Sequence, residues 1–285
     1  MTETIAQTGS RQPTPARTSG LSLRARKWLG FVVIVVVAAV VWEGSKALFQ
    51  LPDYKLPHIS QIIEAFLRPT PKGPVWLVLL QDATYTAFEA LVGFVLGGVS
   101  GFLLAVLFVH VKPVERGLLP YVIASQTVPI IAIAPMIVVG IGRLGAPPWL
   151  SKSIIAAYLT FFPVTIYALR GLTSISRREY DLMRSYAATK RQIFWKLRLP
   201  ASVPFLFTAL KISATASVIG AIIGELPVGS TRGIGVQIVV GSQYNTFNPG
   251  YLWATIIMAA LLGLLFYGAV ALAERLIVHW KRPEE

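Results

Sequence analysis

Residues 174–204 read SISRREYDLMRSYAATKRQIFWKLRLPASVP, and the chain is apolar on both sides of them, over 150–169 and 205–223. Ser176 followed three residues later by Glu179 is a capping-box pattern, which sets the start of a helix. Ala187-Ala188-Thr189 permits a turn. Ile193, Phe194 and Leu197 then place an apolar stripe on a second short helix that Pro200 ends. The segment also holds seven basic residues, from Arg177 to Arg198. A basic helical hairpin with an exposed apolar stripe is expected to dock on a protein surface. The alternative is a hairpin lying along anionic lipid headgroups.

The apolar flanks recur along the chain. Of its 285 residues 54% are hydrophobic and 14% charged, where soluble domains carry about a quarter charged residues. A soluble chain this apolar would need to bury nearly all its surface, which this length does not allow. Apolar runs approaching the roughly 20 residues that cross a bilayer as a helix lie at 28–42, 85–109, 118–141, 150–169, 205–223 and 251–278. Glu43 closes the first run, its charged leader is long and no small-x-small site follows, so it reads as an uncleaved span rather than a signal peptide. The expectation is an all-α polytopic membrane protein with six transmembrane helices. Residues 1–27 read as a disordered basic tail. Residues 28–74 hold the first span and an external loop with a short amphipathic helix, Ile59–Leu67. Residues 75–278 form the main transmembrane domain, and 279–285 a second tail.

Basic residues orient this plan. With the N-terminus inside, cytoplasmic segments hold 18 Lys and Arg against seven in external loops (Lys46, Lys55, Arg68, Lys72, Arg143, Lys152, Arg232), with Lys211 inside a span. That asymmetry predicts both termini in the cytoplasm. Seven spans would instead put Lys281 and Arg282 outside. The same bias accounts for the net charge of +13 without a nucleic-acid partner, since no basic groove with interleaved aromatics is present.

Several polar features interrupt the spans. Gly93, Gly97, Gly98 and Gly101 make small-xxx-small pairs, which read as close helix packing. Ser125-Gln126-Thr127, followed by Pro129 and Pro135, suggests a kinked span with a polar turn beside a translocation route. Glu89 either borders that route or pairs with a basic residue near the interface. Glu89 and Lys211 are the strong candidates for the ion coupling of a secondary transporter, the alternative function. An enzyme is disfavoured: no HExxH and no paired intramembrane carboxylates are visible, and His58, His110 and His279 fall in loops or at span ends. Without cysteine there is no thiolate metal site, and no metal is expected. No GxxxxGK[ST] phosphate loop is present; Gly140-x-Gly142 and Gly233-x-Gly235 read as turns.

The 174–204 segment resembles the EAA loop of ABC importer permeases. Asp181 takes the acidic position, Leu182 and Met183 stand where two alanines are usual, and Arg184-Ser185 follow. Ala187 occupies the place of the expected glycine, Ala188 follows it, and Leu199-Pro200 closes the motif. The resemblance runs from about Val75 to Val278 and includes Thr86-x-x-Glu89-x-x-x-Gly93, Val128-Pro129 through Pro135, Glu225 and Gly233-x-Gly235. It is closest to the nitrate, sulfonate and taurine permease group. Glu89 and Arg184-Ser185-Tyr186-Ala187-Ala188 are similar to its riboflavin or pyrimidine-precursor branch. The resemblance implies a type I importer fold in a bacterial inner membrane and a non-catalytic subunit that binds no cofactor. It also implies a second permease subunit, identical or not, an extracytoplasmic substrate-binding protein, and a cytoplasmic ATPase dimer that uses ATP and Mg. Glu179 and the motif residues would couple this chain to that ATPase.

Overall fold

In a computed structural model, residues 23–227 and 230–278 are described; the tail expectations for 1–22 and 279–285, His279 included, fall outside them. The chain divides after Leu51. The first unit holds α1, Leu23–Phe49, whose 27 residues extend about 40 Å, enough for a bilayer core of about 30 Å.

The second unit opens with α2, Ile59–Leu67, at the bounds the amphipathic pattern predicts, burying Ile62 and Ala65. A minimal hairpin, β1 (Pro69–Thr70) with β2 (Gly73–Pro74), follows. The long helices are α3 (Val75–His110), α6 (Pro148–Thr173), α9 (Leu199–Glu225) and α11 (Pro249–Ile277). Between them lie α4 (Lys112–Ser125), α5 (Ile130–Arg143), α7 (Arg177–Ser185), α8 (Lys190–Ile193) and α10 (Ile234–Gln243). Five helices of the described residues are long and apolar enough to cross a membrane, and α4 with α5 makes a sixth span if counted as one.

The core of the second unit is α6 packed between α3 and α9. Glycine makes the first contact possible. A Cβ on Gly93 would sit 2.6 Å from Ser153 O, and one on Gly101 2.6 Å from Phe161 O. Gly97 lies between them on the same stripe, so the packing reading holds, while Gly98 faces elsewhere. Lys211 is no free intramembrane charge, since its Nζ lies 2.6 Å from Glu274 Oε2 on α11.

Three expectations are corrected. The 118–141 run is not one kinked helix: α4 and α5 meet at 99°. Pro129 has no N–H to continue α4 and holds an extended ψ of 101°, and it biases Val128 away from helical backbone. Gly140-x-Gly142 is not a turn but lies within α5. Pro200 does not end the second loop helix, which runs on continuously from Lys190 to Glu225. A π-helical turn at Phe194–Arg198 shifts the pattern so that Leu199 N–H bonds Phe194 O, five residues back. Pro200 follows this turn directly, near the start of α9, and the helix carries on past it although it has no N–H to donate.

Candidate functional site

The 174–204 loop is two helices joined by a strained turn. Ser176 caps α7 as its sequence predicts: its Oγ accepts from Glu179 N at 3.2 Å, and its own N–H donates to Glu179 Oε2 at 2.8 Å. These bonds hold the Glu179 carboxyl below the usual carboxylate range. The cap is therefore intact above the ordinary glutamate pKa and lost only as pH falls through the lowered one. A second box, Thr189 with Gln192, starts α8, with Thr189 N donating to Gln192 Oε1 at 2.8 Å. It is written in the sequence as Thr-x-x-Gln and was not anticipated.

Between the boxes α7 closes in a Schellman motif. Ala188 N–H reaches Met183 O at 3.1 Å and Ala187 N–H reaches Arg184 O at 2.9 Å. That geometry puts Ala187 at φ +55°, where an L-residue with a Cβ is disfavoured. The position keeps a glycine conformation while holding alanine. Ala187→Gly should relieve about 0.5–1 kcal/mol, net of the added freedom of the unfolded chain. Amide exchange at Ala188 and Thr189 should then slow about two- to fivefold. Unchanged or faster exchange would show that the strain is absorbed elsewhere.

The apolar stripe is not exposed as predicted. Ile193 is 2% accessible, and Phe194 packs on the cluster of Phe108, Val122 and Leu172. The stripe anchors the loop to its own bundle. The exposed apolar residues are instead Leu182 at 57% and Tyr186 at 78% on and after α7, and Trp195. Asp181, Arg184, Ser185 and Ala187 are exposed alongside them. Asp181 stands 3.9 Å from Arg177 Nε, and Ser185 Oγ donates to Leu182 O at 2.8 Å. Ala188 and Leu199 are half-buried, and Pro200 is exposed.

Ser125, Gln126 and Thr127 form the break between α4 and α5. Ser125 Oγ donates to Val122 O and Thr127 Oγ1 to Ala124 O, each at 2.7 Å, while Tyr158 OH of α6 donates to Ser125 O. Two of the three side chains thus satisfy backbone that the bend frees, as non-helical backbone at membrane depth requires. Gln126 is exposed.

Glu89 lies elsewhere, wholly buried. Lys152 Nζ stands 3.1 Å from its Oε1, with side-chain exposures of 3% and 0%. The contact is Coulombic, because neither Glu89 oxygen has a partner in hydrogen-bonding geometry. Lys152, expected in an external loop, is therefore a buried residue of α6; the apolar α3 and α9 enclose it. Glu225 is buried against the same pair. Its Oε1 accepts from Thr86 Oγ1 at 2.7 Å and its Oε2 from Gly235 N at 2.6 Å. Ile234 N donates to Thr86 Oγ1 at 2.9 Å. Gly233-x-Gly235 is thus more than a turn: Gly233, at φ +116°, wraps the start of α10 around the Glu225 carboxylate so closely that a Cβ would overlap it. Asp82 extends the network, accepting from Gln237 Nε2 at 2.6 Å, and Tyr251 OH donates to Gln237 Oε1 at 2.5 Å. The polar face Asp82, Thr86, Glu89, at helical spacing in an apolar run, was the available signal for this cluster. It joins α3, α6, α9, α10 and α11 at the end of the bundle opposite the 174–204 loop.

Residues 93–279 match the family described as binding-protein-dependent transport system inner membrane component. The formylaminopyrimidine transport permease protein ThiX of Halalkalibacterium halodurans is 33% identical, over 86% of this chain and 93% of its own. The riboflavin transport system permease protein RibX of Chloroflexus aurantiacus is 27% identical over 91% and 94%. The taurine transport system permease protein TauC of Escherichia coli is 26% identical over 85% and 86%. Among solved structures, the inward-facing MetNI methionine ABC transporter shares the fold, with a TM-score of 0.59 at 20% identity over 73% of this chain and 98% of that one.

Proposed function

The chain belongs to the family of binding-protein-dependent transport system inner membrane components, as an ABC importer permease of a bacterial inner membrane, and we propose that it carries a planar heteroaromatic nutrient, riboflavin or a pyrimidine precursor. The observation that carries this reading is the 33% identity, over nearly the whole of both chains, to a relative named for formylaminopyrimidine. The loop end faces the cytoplasm, where a dimer of ABC ATPases using ATP and Mg seats on α7 through Asp181, Arg184, Ser185 and Ala187. Glu179 holds the cap of that helix, and Leu199-Pro200 ties the loop to α9. A second permease subunit completes the pathway, and a substrate-binding protein delivers cargo at the opposite end. Gln126, with Ser125 and Thr127, borders the route at the α4–α5 break. Glu89 acts from inside the protomer, holding α3 against α6.

The chain has no cysteine, so single cysteines report cleanly. In vesicles holding the assembled transporter, a cysteine at Ser185 is expected to react with membrane-impermeant thiol reagent only from the cytoplasmic side. A cysteine at Gln126 should react with small aqueous reagents, at a rate that changes between ATP-bound and nucleotide-free states and falls on adding substrate-loaded binding protein. Labelling of Ser185→Cys from the outer side would overturn the orientation. A Gln126→Cys inert in both nucleotide states would remove the break from the pathway.

A further inference from the structure

The loop end of the second unit holds two adjoining cavities that no role above uses. One, of about 180 Å³, is lined by His110 at the end of α3, Tyr180 of α7, and Lys190, Phe194 and Arg198 of the second loop helix. The other, of about 290 Å³, is lined by Lys112, Ser176, Arg177, Tyr180 and Arg198. Tyr180 and Arg198 line both. Each is far larger than the roughly 10–15 Å³ that a single water needs.

The charge in these cavities is unbalanced. The nearby carboxylates are committed: Glu115 holds Lys112 at 2.5 Å, Asp181 stands by Arg177 at 3.9 Å, and Glu179 serves the Ser176 cap. Among the described residues no carboxylate pairs with Lys190 or Arg198. Arg198 is half-buried and lines both cavities, a position from which its charge can hold an anion. A planar five-donor fork beside an ammonium and a phenol matches the oxygens of a phosphate.

We propose that these cavities form a binding site for the phosphate of an anionic phospholipid headgroup, held by Arg198, Lys190 and Tyr180. The surroundings favour a lipid over a soluble anion. The site lies at the loop end of the continuous helix Lys190–Glu225, beside Trp195, whose side chain is 58% exposed. An exposed tryptophan at the end of a span marks headgroup depth, and basic pockets between helices at that depth suit anionic headgroups. The hairpin then has two faces. Its inner, basic face takes lipid, while the outer face of α7, with Leu182 and Tyr186, stays open to protein. The site stands apart from the cargo assignment, since neither its residues nor its ligand depends on what is transported.

Native mass spectrometry of the full-length chain, extracted from membranes of mixed phosphatidylcholine and phosphatidylglycerol, tests it. Wild type is expected to retain phosphatidylglycerol selectively through delipidation. Lys190→Gln should reduce that retention roughly tenfold, and Lys190→Gln with Arg198→Gln further, each charge-assisted bond being worth about one decade. Lys190 is exposed, so its substitution reports even if the Arg198 change disturbs folding. Arg191→Gln, an exposed cation outside both cavities, should leave retention unchanged. Equal retention of phosphatidylcholine by wild type, or undiminished phosphatidylglycerol in both Lys190 variants, would overturn the site. Displacement of the lipid by inorganic phosphate would assign the cavities to a soluble anion and overturn the headgroup assignment.

Discussion

Lys152→Met is expected to destabilise the folded permease by about 3–5 kcal/mol, the usual cost of removing one partner from a buried ion pair. Lys152 and Glu89 are almost wholly enclosed, at 3.1 Å from each other. Glu225 brings a second carboxylate to the same place. Without the ammonium, two acidic groups face each other inside an apolar bundle with no cation to oppose them. Thermal unfolding of the purified protein should register a Tm lower by roughly 10 °C. The isosteric pair Lys152→Met with Glu89→Gln should recover much of the loss, because replacing both partners of a buried pair is often nearly neutral. A Tm for Lys152→Met indistinguishable from wild type would show that the contact holds nothing together. Recovery by the double variant that also restores uptake would place the cluster in architecture; stable protein without uptake would give it a part in the transport cycle.

That cluster marks the boundary of what the sequence discloses. The long apolar runs fix the membrane class because lipid demands internally bonded helices, and α2, the Ser176 cap and the 187–189 turn follow from local chemistry alone. The mutual burial of Glu89, Lys152 and Glu225 does not, because it depends on three helices distant in sequence meeting in space. In the sequence Lys152 reads as a loop cation, because it lies only five residues after Pro147, near the start of an apolar run. In the fold it points inward, packed against Gly224 of α9 and 3.1 Å from Glu89 of α3. The stripe at Ile193, Phe194 and Leu197 failed for a related reason. Helical periodicity says which residues share a face but not which way that face looks, and the π turn at Phe194–Arg198 breaks the periodicity within the stripe itself. No periodic pattern encodes such a turn. Residues Leu182 and Tyr186, spaced by four, were legible as a second apolar pair, yet the larger stripe overshadowed them.

The exposed side of α7 sets the other large effect. Ala187→Trp and Asp181→Lys are each expected to weaken attachment of the ATPase partner by roughly 30-fold or more, the consequence of losing about 2 kcal/mol at a central interface residue. The two changes act by different routes. Ala187 is exposed at the tip of the turn, and its left-handed backbone turns the chain sharply there. A tryptophan at that point adds bulk where two backbones must approach. Asp181→Lys reverses one of the two acidic charges, the other being Glu179 of the cap, that stand among Arg177, Arg178 and Arg184. Neither residue is buried in the bundle, so both variants should insert and fold as wild type, with unaltered Tm. Co-purification of the ATPase with each variant is the direct measurement, paired with substrate-stimulated hydrolysis in reconstituted vesicles. Wild-type attachment and wild-type stimulation in both variants would end the docking assignment. Replacing Leu182 with serine is the graded control. It keeps charge and turn but removes apolar area, so a smaller loss in attachment than either variant would place the contact on α7 itself rather than on the turn alone.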